Sequence, residues 1–404
     1  MLSCLRPWWL AMAVLLGLGV VRPAYAFPTT AFLAHYWRTP APLGGVHRPR
    51  WPVFETRLAP RTCALCHAAQ YDAWRESRHA RAMGPGVIAQ LAVAGVRARA
   101  FVRGCLSCHA PGRRQWREVE AFIRGGRLHG LARFGVSCAD CHVRRYQRFG
   151  PPLAAFIAAG RVVHNGFTPE AAFTRSRFCA VCHQFHRDGA RLHGVLLEDT
   201  YNEWHDSRYR KQGITCQSCH MPGGRHSFLG IHNRRFVRRA VRVRWHIADC
   251  GQRRVCARLS LTNRGAGHDF PTYTTPKVVM RIAQLCGKAV CAGTGRRFVI
   301  ARRISLDLRH EYFDTRLAPG ATRTLSYAQP RDPAATAVEA DITVYPDAAY
   351  VRFFHAYLGA YRMTAAEHAL IERALVHDER SAYVLWRAYH VLAAAGCCRQ
   401  AGMK

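Results

Sequence analysis

The chain has 404 residues and a formal net charge of +34, from 59 Lys and Arg against 25 Asp and Glu. That is long for one domain, and 49% hydrophobic residues exclude a wholly disordered chain. So basic a surface draws anionic partners.

Read from the N-terminus, Arg6 precedes an apolar run from Trp8 to Val21, and Ala24-Tyr25-Ala26 follows as a small-x-small cleavage site. This predicts a secretory signal over residues 1–26, with the mature chain starting at Phe27. The run is short for a membrane span, so an uncleaved anchor is the less favoured alternative. The expected location is periplasmic or otherwise exported, at most peripheral to a membrane. Nucleic acid, the usual partner of a basic chain, then becomes an unlikely one. Acidic redox proteins or an anionic membrane surface are expected instead, and oligomeric state is not legible.

Residues 27–60 hold Pro28, Pro40, Pro42, Pro49, Pro52 and Pro60. That density predicts an extended arm rather than a helix. His35 and His47 in it are expected to be surface or packing residues.

Residues 61–235 spell Cys-x-x-Cys-His five times: Cys63/Cys66/His67, Cys105/Cys108/His109, Cys138/Cys141/His142, Cys179/Cys182/His183 and Cys216/Cys219/His220. Two thiols three positions apart reach the two vinyl groups of one haem, and the adjacent histidine lies under the iron as proximal ligand. One copy is weak evidence; five, all ending in histidine, predict five covalently attached haem c groups with their iron. Short helices are expected at Gly86–Arg103 and Arg117–Arg124, between loops, around a core supplied by haem. Tyr71-Asp72-Ala73-Trp74-Arg75-Glu76-Ser77-Arg78-His79 recurs as Tyr201-Asn202-Glu203-Trp204-His205-Asp206-Ser207-Arg208-Tyr209, with His79 replaced by Tyr209. Tyr209 is read as a packing residue, the alternative being an iron ligand.

From 236 to 360 the pattern alternates like half-buried strands: Val241–Trp245, Val255–Leu261, Val278–Ile282, Phe298–Ile300, Thr322–Tyr327 and Ala337–Tyr345. A β-sandwich is expected. Residues 361–404 are expected to be a helical tail, opened by the capping box Thr364-Ala365-Ala366-Glu367 and running to about Ala395. The fold class is therefore α+β multidomain: a loop-rich, mainly helical multihaem domain, an all-β sandwich-like domain and a short helical tail. Outside the motifs and Cys4 in the signal lie Cys250, Cys256, Cys286, Cys291, Cys397 and Cys398. Cys250–Cys256 and Cys286–Cys291 are short enough to close hairpins, with free or otherwise paired thiols the alternative.

The sixth ligand of each iron decides the chemistry. A second histidine closes the iron for electron transfer, whereas an open position suits substrate chemistry. Here Trp74-x-x-Ser77-x-His79, Gly135-Val136-Ser137-Cys138-x-x-Cys141-His142, Glu203-Trp204-x-x-Ser207 and Gly213-Ile214-Thr215-Cys216-Gln217-Ser218-Cys219-His220-Met221-Pro222 resemble the multihaem c-type cytochromes of the c554 class. Asn263-x-Gly265-Ala266-Gly267-His268-Asp269-Phe270-Pro271-Thr272 resembles a segment of those members with an added C-terminal β-domain. The resemblance implies distal ligands His79, His164, His226, His232 and His268, with His129, His186 and His193 in reserve. It implies an exported electron carrier with closely stacked, mostly bis-histidine haems and no catalytic residues. The alternative is a multihaem oxidoreductase with one open haem acting on a small nitrogen or sulfur compound. A structural subunit of a larger redox complex is a third reading.

Overall fold

The computed structural model describes residues 29–42, 51–94, 99–125, 128–152, 166–360 and 363–393. The expected signal segment, His47, His164, Cys397 and Cys398 lie outside these. No described helix is long and apolar enough to cross a membrane.

The expected extended arm instead begins as a helix, Thr29–Arg38. The prolines that suggested an arm all flank this ten-residue stretch, which contains none. Leu33 and Tyr36, three positions apart on one face, are buried. The Tyr36 hydroxyl donates to the Cys141 carbonyl at 2.6 Å, and Arg144 donates back to the Tyr36 carbonyl at 2.9 Å. Trp51 and Leu58 pack against Ala139 and Val143. The segment is thus part of the wall around the third motif.

Helices Pro85–Ala94, Arg99–His109 and Arg113–Ile123 follow. The third starts four residues before its expected start, because Gln115 supplies an oxygen to the Gly112 amide at 2.8 Å and so caps it early. Val102, Leu106 and Val119 share a small core with Met83 and Leu91. Strands β1 (Val143–Arg144), β2 (Gln147–Gly150) and β3 (Phe167–Pro169) form a small sheet, and β4 (Arg191–Leu192) and β5 (Val195–Leu196) a hairpin.

The rest of the chain is built on sheets. The strands are β6 (Val241–Ala248), β7 (Arg254–Asn263), β8 (Lys277–Cys286), β9 (Ala289–Val290), β10 (Arg296–Ile300), β11 (Arg302–Ile304), β12 (Glu311–Asp314), β13 (Thr322–Pro330), β14 (Ala337–Tyr345) and β15 (Tyr383–Val391). One sheet runs β13-β7-β6; the other runs β10-β8-β14-β15, with β9 paired to β8. Leu259 and Leu261 of the first meet Met280, Ile282, Ala340 and Ile342 of the second in one core, as two sheets packed face to face require. All six expected strands are present, extended at one or both ends except Ala337–Tyr345. Cys250–Cys256 and Cys286–Cys291 are disulfides.

The helical tail needs correction. Helix Ala365–Glu379 forms from the expected capping box, but the chain then turns and runs as β15 beside β14. Tyr383-Val384-Leu385-Trp386 is aromatic and β-branched, a strand composition that the preceding helix pattern overshadowed. Helix Ala365–Glu379 and helix Ala348–Ala360 pack through Ile371, Ala374 and Phe354 onto Ala89 of Pro85–Ala94. The end of the chain therefore binds both halves together. Leu385→Ala, at a side chain only 1% exposed, should lower stability by about 2–5 kcal/mol in urea unfolding of the holoprotein.

Candidate haem-binding site

Each Cys-x-x-Cys-His motif sits on or beside a helical turn. The helices include Arg99–His109, Cys138–His142 and Cys216–His220. His67 and His183 bond through their amides to the carbonyls of Cys63 and Cys179, at 2.9 and 3.1 Å. This 3.6-residue period brings the thiols at i and i+3 and the imidazole at i+4 to one face. Local caps set two of the turns: Asp140 accepts from the Ser137 amide at 2.7 Å, and Thr215 from that of Ser218 at 3.3 Å. All ten motif cysteines are free of disulfides, and only Cys66 and Cys219 are exposed.

The turns are close neighbours in space. The Cys63 thiol contacts that of Cys138, Cys108 contacts Cys182, and Cys179 contacts Cys216. Cys141 lies within electrostatic reach of Cys179 and Cys182.

The proximal imidazoles are oriented through Nδ1. His109 bonds the Ala82 carbonyl at 2.7 Å, His142 that of Phe149 at 2.8 Å and His220 that of Leu229 at 2.6 Å. His183 meets the Tyr273 hydroxyl at 2.8 Å. Of the candidate distal residues, His226 bonds the Gly224 carbonyl at 2.9 Å and His268 that of Asp269 at 2.8 Å. A carbonyl accepts only from Nδ1–H, which leaves Nε2 with its lone pair as the metal-binding atom. Burial acts in the same sense. It pushes the imidazolium pKa down to about 4 in His142, His183 and His268 and to about 3 in His79. All four are neutral at neutral pH, the ligand form. Free paired thiols beside neutral, oriented imidazoles are the donor set that haem c needs.

Three candidate distal histidines face a proximal one. Ring centroids are 6.1 Å apart for His79 and His183, 6.1 Å for His226 and His142, and 6.4 Å for His268 and His220. His232 is placed differently: its Nε2 bonds the Asp347 carboxylate at 2.9 Å. Of the reserves, His186 and His193 are exposed and bonded to Asp188 and Glu311, and His129 is exposed. His35 is exposed, as expected.

The repeat proves to be one backbone device used twice. Trp74 Nε1 donates to the Val136 carbonyl at 2.8 Å, and the Val136 amide donates to the His79 carbonyl at 2.9 Å. Trp204 donates to Ile214, and Ile214 to Tyr209, both at 2.9 Å. Each copy thereby pins the stretch two residues before a motif. Gly135 is required in the first copy: with φ +58, a Cβ there would lie 2.4 Å from the His79 carbonyl oxygen. Tyr209 is committed to packing, its hydroxyl donating to the Arg264 carbonyl at 2.5 Å.

That carbonyl begins the loop that delivers His268. Fully buried Asn263 donates to the His268 carbonyl at 2.8 Å and accepts from the Ala266 amide at 3.1 Å. A Cβ on Gly265 would lie 2.9 Å from the Arg239 carbonyl oxygen, and one on Gly267 would lie 3.2 Å from Trp204 and Tyr209. Both glycines thus allow the loop to press against the motif region.

Sequence reasoning missed the polar network under this loop. Glu203 accepts from the Asp269 amide at 3.1 Å, from Thr272 at 2.5 Å and from Arg316 at 2.7 Å. Thr200 bonds Thr272 and Glu198, both at 2.7 Å, and also Tyr273. A bonded path thus runs from His183 through Tyr273 and Thr200 to two buried carboxyls. Burial pushes Glu198 up to about 8 and Glu203 to about 7. The partners of Glu203 are remote in sequence, and Thr200, the near partner of Glu198, joins Tyr273 and Thr272 from far along the chain, so no local spacing announced the network. Asn263→Ala takes the side-chain donor from the His268 carbonyl. It should cost about 1–3 kcal/mol in the unfolding of the holoprotein.

Residues 62–143 match the family described as Cytochrome c554 and c-prime. No curated protein matches the chain. In three dimensions it is similar to a crystal structure of a penta-haem cytochrome c552 from Thermochromatium tepidum. The TM-score is 0.57 at 16% identity, covering 82% of this chain and 98% of that one. At that identity the likeness speaks for the fold, and the family match speaks for the first three motifs. Over residues 62–143, which hold its first three Cys-x-x-Cys-His turns, the chain is similar to the multihaem c-type cytochromes of the c554 class.

Proposed function

We propose that the protein is an exported five-haem electron carrier in which at least three irons are closed by histidine on both sides. The three histidine pairs carry this reading. Two imidazoles that would hold one iron through their Nε2 atoms, at about 2 Å each, would have ring centroids roughly 6 Å apart. His79 would then hold the haem of His183, His226 that of His142, and His268 that of His220. Each pair joins segments distant in sequence, so each haem would also be a cross-link of the fold.

Haem iron supplies the one-electron chemistry; the chain sets its spacing and surroundings. The thiol contacts support an order in which the first motif adjoins the third, the third the fourth, and the fourth both the second and the fifth. Attachment points in contact hold the macrocycles they carry side by side, as fast transfer needs. The order is branched, with the first, second and fifth motifs at its ends; the first and fifth hold Cys66 and Cys219, the two exposed cysteines of the ten. Export is supported by the sequence of residues 1–26.

A second reading, a reductase or oxidase of a small nitrogen or sulfur compound, rests on His232. Asp347 occupies its Nε2, so only Nδ1 is left to close a haem. Asp347 and Cys105 both lie within electrostatic reach of buried Tyr350. The haem of Cys105, Cys108 and His109 is therefore the one that this reading would leave open.

Pyridine haemochrome analysis should give five haems per chain; a clearly lower ratio sinks the five-haem assignment. The oxidised protein should be low-spin by EPR, with at most one high-spin haem. His268→Ala should convert one further haem to high-spin, and an unchanged spectrum would remove His268 as a ligand.

The buried carboxyls give a pH signature. Above about 8 Glu198 is an anion, and Glu203 above about 7. A buried negative charge favours ferric over ferrous iron. The midpoint of the haem bound by His183 should therefore fall as pH rises through 7 to 8, and Glu198→Gln should flatten the upper part of that slope. Spectroelectrochemical titration between about pH 6 and 10 reads both.

A further inference from the structure

The first and fifth motifs, the two ends with an exposed cysteine, differ in how their charge is neutralised. In the segments flanking the first motif several arginines are paired with carboxylates. Arg75 bonds Asp72 at 3.1 Å, Arg81 bonds Glu76 at 3.0 Å, and Arg148 bonds Glu55. Around Cys219 the sequence has no acidic residue between Asp206 and Asp249. The His220 ring packs on Phe236 at 5.2 Å between centroids. Phe236 belongs to helix Arg234–Ala240, whose Arg234, Arg235, Arg238 and Arg239 are all exposed. The basic face continues onto β6, where Arg242 and Arg244 point outward. Among the described residues none of these six arginines forms an ion pair with a carboxylate.

Unpaired charge costs self-repulsion and is strongest as a field where no counter-charge lies within a Debye length, about 8–10 Å in ordinary buffers. The helix is short and capped by Asn233, and its C-terminal end turns directly into β6. The arginines are therefore held on a fixed frame rather than on a floppy tail. A fixed frame beside one haem edge both steers and orients an incoming protein.

We propose that helix Arg234–Ala240 and the adjoining outer face of β6 are the docking surface for an acidic redox protein, which exchanges electrons with the haem of Cys216, Cys219 and His220. This rests on the electron-carrier reading above. Each encounter moves one electron: the iron is reduced as the partner's centre is oxidised, or the reverse. At the first-motif end Arg75, Arg81 and Arg148 are paired with carboxylates, which weakens the basic field there.

The test uses the holoprotein and a plant-type ferredoxin as an acidic one-electron probe. Arg234→Gln/Arg235→Gln/Arg238→Gln is compared with a control of equal charge change, Arg61→Gln/Arg297→Gln/Arg309→Gln. Stopped-flow reduction by reduced ferredoxin should be about ten-fold slower in the docking variant at low salt, with a flatter salt dependence. Binding of oxidised ferredoxin, read by calorimetry, should weaken in parallel. The control should stay close to the wild type. Equal losses in both variants would mean that only net charge matters, and would overturn the proposal. So would unchanged ferredoxin binding with lost binding to vesicles containing phosphatidylserine, which would assign the face to a membrane. Reduction by a neutral photoreduced flavin should be the same in all three proteins. Failure of the wild type to be reduced by either reagent would instead sink the electron-carrier reading itself.

Discussion

An imidazole can bind iron well only if its ring is aimed and its tautomer fixed, and one hydrogen bond at Nδ1 does both. In this protein that bond reaches into many parts of the chain. The acceptors for His109, His142, His220, His226 and His268 are main-chain carbonyls, and the partner of His183 is Tyr273, 90 residues away in sequence. Loops and turns therefore suit most of the motifs, the exception being His142, whose acceptor Phe149 lies in the short strand β2. A loop leaves carbonyls free to accept, whereas a regular helix or sheet would already use them. The sparse secondary structure between the motifs follows from that need as much as from the apolar bulk that haem supplies.

The same requirement draws the β-sheet part of the chain into the site. Tyr273 and His268 both belong to the segment after β7, and the fully buried Asn263 at its start ties that segment to itself and to Leu317. Arg316 then bridges Glu203 on one side and Asp314 on the other, at 2.7 and 2.8 Å. A buried arginine and its carboxylates are costly to desolvate and gain only when each group is satisfied; here Glu203 accepts from three donors. The interface is thus specific rather than merely adhesive. A sliding of the two parts by one residue would break these bonds together.

Features carried by neighbours in sequence were legible, and those carried by distant partners were not. Each Cys-x-x-Cys-His unit is complete within five residues, so its chemistry could be read directly. The strands from Val241 to Tyr345 alternate because one face meets the facing sheet, and alternation is a local signal too. The helix Thr29–Arg38 was misread because proline density was averaged over a segment in which the prolines lie outside the helix. β15 was misread because a good capping box predicts where a helix starts and says little about where it stops. Its pairing with β14 is settled by a partner some forty residues earlier. Of the distal histidines, His79 had a local framework in the repeat, and His268 had one in its glycines. Nothing near His226 or His232 in the sequence distinguishes the first, whose ring faces His142, from the second, whose Nε2 faces a carboxylate.

The repeat shows how such a site can change its ligand without changing its backbone. In both copies a tryptophan indole bonds the carbonyl two residues before a motif, and the residue at the ninth position accepts from the amide of that same residue. In the first copy the ninth residue is His79, whose side chain is free to turn toward His183. In the second it is Tyr209, whose side chain packs beside Gly267 and whose hydroxyl holds Arg264. The position that offers a histidine in one copy thus becomes, in the other, the support on which His268 is laid. Restoring histidine at 209 would not simply add a ligand, since it would remove the contact that seats the loop carrying His268. The two copies are alternative solutions to one geometric demand, and the β-sheet part of the chain is what makes the second solution workable.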